Sequence, residues 1–157
     1  MTAVDRWSLT EAKSRRTLQT ARVAHVSKVS GIALPNFAVN GAAHLGSKVS
    51  GAILTSSVTR AGRAGETVFD AEPGAIAVPV LVVNNEYDTC GETPPSDAPM
   101  VLSALTRSPR RELVMVTSSQ IVRRSDPCEA MSPHGYLGIE GMVVQRISEW
   151  IRAAGGR

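Results

Sequence analysis

"VPVLVVNNEYD", Val78–Asp88, is the stretch on which the fold turns. Valine and leucine follow one another through Val83, with no alternation of apolar and polar side chains. A strand with one wet face alternates; a parallel strand covered on both faces does not. The run therefore predicts a strand inside a parallel sheet with layers of structure on both sides. Parallel neighbours need long crossover connections, usually helical, so the flanking sequence should supply helices and further strands.

It does so in both directions. Upstream, "NFAVNGAAHLG" (36–46) carries small and apolar residues at helical spacing and ends on Gly46, a natural C-cap. "VSGAILTSS" (49–57) reads as a short buried strand, followed by a polar, Gly-rich loop over 59–66. "ETVFDAEPGAIA" (66–77) reads as a short helical or turn segment. Downstream, "SDAPMVLSALTRS" (96–108) predicts a helix capped by Ser96 or Asp97, with Met100, Val101, Leu102, Ala104 and Leu105 on its buried side. The "TPP" at 93–95 stiffens the approach to it. "RRELVMVTS" (110–118) is another strand. "GIEGMVVQRISEWIRAA" (138–154) closes the pattern as a helix with Met142, Val143, Ile147, Trp150 and Ile151 recurring at near-helical spacing. Alternating helices and buried strands predict an α/β domain of three layers around a mostly parallel sheet.

Residues 1–30 are weakly specified. "DRWSLTEAKSRRTLQ" (5–19) offers Ser8 or Thr10 as an N-cap, but only Trp7, Leu9 and Leu18 as apolar anchors. The patterned domain is assigned to 31–157. A length of 157 residues suits one domain. The net charge of +3 is partly gathered in Lys13–Arg16 and Arg107–Arg111, and aromatics make up 4% of the chain. That is too little charge and too few stacking rings for a nucleic-acid partner. No apolar stretch reaches the roughly 18 residues of a membrane span, and the N-terminus has no signal-peptide core. As written the chain reads as cytoplasmic; secreted or periplasmic relatives fit if the N-terminus is truncated.

In open parallel sheets, functional residues gather just past the carboxyl ends of strands. Asp88 follows the Val78–Asp88 strand, and His134 follows the next strand after a long loop, inside "SPHGYLGIE" (132–140). A buried acid can fix an imidazole's tautomer, and the imidazole can then take a proton from a nucleophile. Asp before His is the order of α/β-hydrolases. Together, "GAILTSSVTR", "VPVLVVNNEYDTC", "TPPSDAP", "DPCEAMSPHGYLGIE" and "VVQRISEWI" make residues 41–150 resemble the C-terminal half of that family. The resemblance implies a partial α/β-hydrolase fold, an Asp88–His134 pair, no cofactor, and a small ester or related acyl substrate.

The family's nucleophile lies in G-x-S-x-G on a strand-to-helix turn. Here "AHVSKVSG" aligns Ser27 with that serine and puts His25 and Val29 where the glycines belong; Ser30, followed by Gly31, is the second candidate. The strands that normally precede the nucleophile are missing, which would leave a sheet edge open to self-association. Two functions follow: a serine hydrolase working through an acyl-enzyme, or a catalytically inactive, truncated fragment that binds partners.

In the implied fold, Cys90 and Cys128 lie on neighbouring loops at one end of the sheet. They form a disulfide tying the acid loop to the histidine loop, or remain two reduced thiols. Cys90, Cys128, His134 and Asp88 are zinc-compatible ligand types, but their spacing matches no zinc motif, and no metal is expected. His25 and His44 read as surface residues, and Arg123–Arg124 as a solvated loop.

Overall fold

The computed structural model describes residues 23–25, 37–62 and 65–155. Four strands, β1 (Val23–His25), β2 (Gly51–Thr55), β3 (Val80–Asn85) and β4 (Arg111–Val116), form one sheet in the order β1-β2-β3-β4. Every pairing is parallel, with Ala52 opposite Val80 and Val80 opposite Arg111. All carboxyl ends therefore lie along one rim. The described residues include three α-helices: α1 (Phe37–Leu45) between β1 and β2, α2 (Ala98–Ala104) between β3 and β4, and α3 (Glu140–Gly155) after β4.

All six residues of β3 are buried, as expected for an inner strand with both faces covered. The pleat sends its side chains alternately to two cores. On one face, Ala52, Leu54, Val80 and Val82 pack with Ala38, Val39 and Ala42 of α1 and with Val101 of α2. On the other, Ile53, Leu81, Val83 and Val116 pack with Val143 and Trp150 of α3. The result is the three-layer α/β arrangement the sequence predicts. Gly51 lets α3 come close: a Cβ there would lie 3.1 Å from the Pro79 carbonyl oxygen and 3.3 Å from the Trp150 ring. Arg110 stacks on the same indole, 5.8 Å from its centroid.

Several expectations are corrected in detail. The helix expected over 96–108 is α-helical only over Ala98–Ala104, behind a 3₁₀ turn at Pro95–Asp97. Its buried line is Ala98, Val101 and then Leu105, at steps of three and four, which turns Met100 outward to 56% exposure. Met142 is likewise exposed, because α3 presents Val143, Ile147, Trp150 and Ile151 to the sheet. Residues 66–77 fold as two 3₁₀ turns, Val68–Ala71 and Pro73–Ala75. Strand β1 lies where no strand was expected; at three residues it is too short to show a pattern. The helix start expected over 5–19 lies outside the described residues. Among the described residues, no helix is long and apolar enough to cross a membrane.

Candidate active site

Asp88 stands three residues past the end of β3, in a turn closed by its own N–H donating to the Asn85 carbonyl (3.0 Å). Its side chain is fully buried. Oδ1 accepts the Cys90 N–H at 2.8 Å, so the carboxylate folds its own loop around itself. Oδ2 accepts the Thr93 hydroxyl at 2.8 Å and lies 3.1 Å from His134 Nδ1. Thr93 is itself buried, and its Oγ1 lies 3.0 Å from the same Nδ1. The acid and the histidine that the sequence singles out, 46 residues apart, are thus brought into contact.

Proton counting assigns the tautomer. Three polar atoms, Asp88 Oδ2, Thr93 Oγ1 and His134 Nδ1, make three mutual short contacts. An ionised carboxylate supplies no hydrogen and the threonine supplies one. Unless Nδ1 carries the second, lone pairs face each other without a proton between them. With Nδ1–H in place the threonine proton serves Oδ2, and the Nδ1 proton is shared between Oδ2 and Thr93 Oγ1. In the neutral ring this leaves Nε2 bare, the form a general base needs. The His134 side chain is 13% exposed and is held at Nδ1.

The turn that carries His134 is built from its own sequence. Ser132, wholly buried, caps the 3₁₀ turn Pro133–Gly135: its Oγ accepts the His134 N–H at 3.2 Å and lies 2.7 Å from the carbonyl oxygens of both Pro127 and Glu129. Pro133 fixes φ at the first position of that turn. Gly135 has the Ala130 backbone against it, where any Cβ would collide. Tyr136 leaves the turn in the left-handed region, φ +62°.

The turn is then bolted to the sheet. Asn85, the last residue of β3 and fully buried, donates from Nδ2 to the carbonyls of Ser118 (2.9 Å) and Pro133 (2.8 Å). Its Oδ1 accepts the N–H groups of Tyr87 and Ser118, both at 3.1 Å. Both donors and both lone pairs are used. Tyr136 donates its hydroxyl to the Val83 carbonyl at 2.9 Å, and Ser56 Oγ lies 3.1 Å from the His134 carbonyl oxygen. Burial pushes the Tyr136 phenol up, well above the usual tyrosine range, and the Asp88 charge adds to the rise. Beyond β2, the N–H groups of Thr59 and Arg60 donate to the Glu92 carbonyl, next to Thr93. Hydrogen bonding from Arg60 holds the Asp97 carboxyl below the usual range.

Cys90 and Cys128 form a disulfide, Cα to Cα 4.7 Å, linking the acid loop to the histidine loop. The two sulfurs weighed as zinc ligands are therefore bound to each other, and among the described residues no group of three or more His, Cys, Asp and Glu is placed to hold a metal. Ser27 and Ser30 lie outside the described residues. The sequence did not mark Asn85, Ser56, Ser132 or Tyr136. The available signals were slight: a polar Asn-Asn pair closing a buried strand, and a serine just ahead of Pro-His-Gly. Thr93 was visible only as part of "TPP". No protein-family model, no curated protein and no solved structure matches the chain.

Proposed function

We propose that this chain is a serine hydrolase of the α/β-hydrolase type, acting on an ester or related acyl bond of a small substrate. The observation that carries the reading is the contact between Asp88 Oδ2 and His134 Nδ1, at 3.1 Å, on loops that follow consecutive parallel strands. The pair has the geometry of an imidazole base oriented by a buried acid. Strand β1 supports it further. It is parallel to β2, so its carboxyl end lies on the same rim as the pair, and it ends at His25, two residues before Ser27.

In this mechanism His134 Nε2 takes the proton from the serine hydroxyl as the oxygen attacks the acyl carbon. Asp88 holds the Nδ1–H and offsets the positive charge that forms on the ring. The imidazolium returns its proton to the departing alcohol, leaving an acyl-enzyme. Water, deprotonated by the same Nε2, then attacks the acyl carbon, and the imidazolium gives that proton to the departing serine oxygen, releasing the acid and restoring serine and base.

A second reading rests on the sequence around Ser27. His25 and Val29 replace the glycines of G-x-S-x-G, and β-branched Val29 opposes a tight turn. On that ground the chain is an inactive hydrolase-type scaffold that keeps the acid–base pair.

One experiment separates the two: labelling the folded protein with a fluorophosphonate probe and mapping the adduct by mass spectrometry. Adduct on Ser27, lost in His134→Ala, is the expected result. Adduct on Ser30 keeps the mechanism and moves the nucleophile. A folded protein that takes no label overturns the hydrolase reading in favour of the scaffold.

A further inference from the structure

Four non-glycine residues among those described have a left-handed backbone: Ser56 (φ +42°), Glu72 (+55°), Arg124 (+70°) and Tyr136 (+62°). Side chains with a Cβ rarely accept that region, and they persist there only when surrounding contacts hold them. Two of the four, Ser56 and Tyr136, are 80 residues apart in sequence and meet through their hydroxyls at 2.9 Å. Between them lies the carbonyl of His134, 3.1 Å from Ser56 Oγ.

Glycine would occupy position 56 without strain. What the serine hydroxyl adds over glycine is its contacts with the His134 carbonyl and the Tyr136 oxygen. The proton bookkeeping is narrow. The Tyr136 O–H is spent on the Val83 carbonyl, which also accepts the Ser56 N–H at 3.0 Å. The Ser56 O–H is then free to point at the His134 carbonyl and the Tyr136 oxygen. It engages the main chain of His134, not its ring.

This completes a three-point mount. Ser132 Oγ holds the His134 N–H, Asp88 and Thr93 hold the ring at Nδ1, and Ser56 holds the carbonyl. The flanking residues are held separately, Pro133 by Asn85 and Tyr136 by the Val83 carbonyl; Ser56 holds the carbonyl of His134 itself and so limits tilting of that peptide, which would swing Nε2. We propose that Ser56 is a positioning residue for His134: it accepts a strained backbone at the end of β2 in order to fix the direction in which Nε2 points. The inference rests on the reading of His134 as the base, and it assigns Ser56 no part in bond making.

The test compares Ser56→Ala, which keeps the strain and loses the hydroxyl, with Ser56→Gly, which loses both. The primary readout is independent of activity: solvent exchange of the His134 Nδ1–H, followed by NMR on protein with ¹⁵N-labelled histidine and assigned by His134→Gln. Exchange should be about five- to tenfold faster in both variants, the size of losing one ordinary hydrogen bond. Ser56→Gly should melt above Ser56→Ala, because only it sheds the strain. Stability and positioning thus separate, which a purely structural serine would not allow. With p-nitrophenyl acetate as substrate, kcat should fall severalfold in both while KM stays.

Unchanged Nδ1–H exchange in either folded variant overturns the proposal, as does a fluorophosphonate adduct on Ser56 itself. Ser56→Gly keeps the test open if the alanine variant fails to fold. A wild-type protein inert to esters and to the probe, with faster exchange in both variants, overturns the hydrolase reading and leaves Ser56 in its positioning role.

Discussion

Replacing Asn85 by alanine tests how the histidine turn is held to the sheet. The Asn85 side chain is fully buried and makes four hydrogen bonds, three of them wholly inside the protein. Truncation strips the Asn85 amide from the carbonyl and the N–H of Ser118 and takes one of two donors from the Pro133 carbonyl, which keeps the Tyr136 N–H. A buried polar group left without a partner costs about 1–3 kcal/mol. The vacated space is polar and roughly the size of an amide, so a water can enter and recover part of that cost. The expected net loss is about 2–3 kcal/mol, in the upper part of what single substitutions do. Urea unfolding gives the number directly, provided the midpoint falls and the slope does not change.

Asn85→Asp sharpens the test at nearly constant volume. It turns the donor that faces two carbonyls into a second acceptor, and only a protonated carboxyl can donate to either. The folded state should therefore raise this carboxyl's pKa above its unfolded value of about 3.9. Relative to wild type, the variant is then most stable below about pH 4 and loses ground as pH rises above it. An Asn85→Ala loss under about 1 kcal/mol would refute the clamp. So would an Asn85→Asp deficit that does not change with pH.

Three further outcomes follow from the same geometry. Cys90 and Cys128 are 38 residues apart, so in the chain-entropy model removing the bond, as Cys90→Ser/Cys128→Ser, costs about 4 kcal/mol; thermal melts of the double variant and of wild type should differ accordingly, and equal melting would deny the bond a role. Gly135→Ala puts a Cβ onto the Ala130 backbone, so the turn must shift, at about 1–3 kcal/mol; a variant that melts like wild type would contradict that packing. Tyr136 keeps its proton in the fold well beyond the unfolded value of about 10, so its contribution is complete below about pH 10 and declines by up to about 1.4 kcal/mol per pH unit above it. Tyr136→Phe should flatten that alkaline decline, and an unchanged slope in denaturant titrations from pH 9 to 11 would place the phenol in water.

What the sequence made legible follows from how each feature is encoded. Strand β3 and the alternating helices are written in local hydrophobic pattern, and such patterns survive without knowledge of neighbours. Asp88 and His134 were legible because topology places the residues after parallel strands on one rim. The supporting side chains were not. Asn85, Ser56 and Ser132 are common polar types, and nothing local distinguishes a serine that bonds the His134 carbonyl from one that faces water. For Asn85 and Ser56 the meaning depends on partners 33 to 78 residues away; Ser132 bonds within two to five residues, a local cap that its residue type alone does not announce. Strand β1 escaped notice for the opposite reason. With three residues, it is defined by the β2 edge it pairs with and not by any period of its own.

The same dependence decides how the site behaves. Residues 119–131, which lead into the histidine turn, are exposed apart from Ser125 and Cys128, so almost no apolar burial holds that segment. By burial alone it belongs to the low-stability part of the molecule, where local opening is cheap. Yet the turn that ends it carries His134, the side chain proposed as the base. The tethers reconcile these facts: Ser56 reaches the turn from the end of β2, Asn85 from the end of β3, and Cys90 from the acid loop that follows β3. His134 is therefore held by groups that come together only when β2 and β3 are paired. Its position reports the assembled sheet, and no fragment lacking β2 can hold it as the whole does.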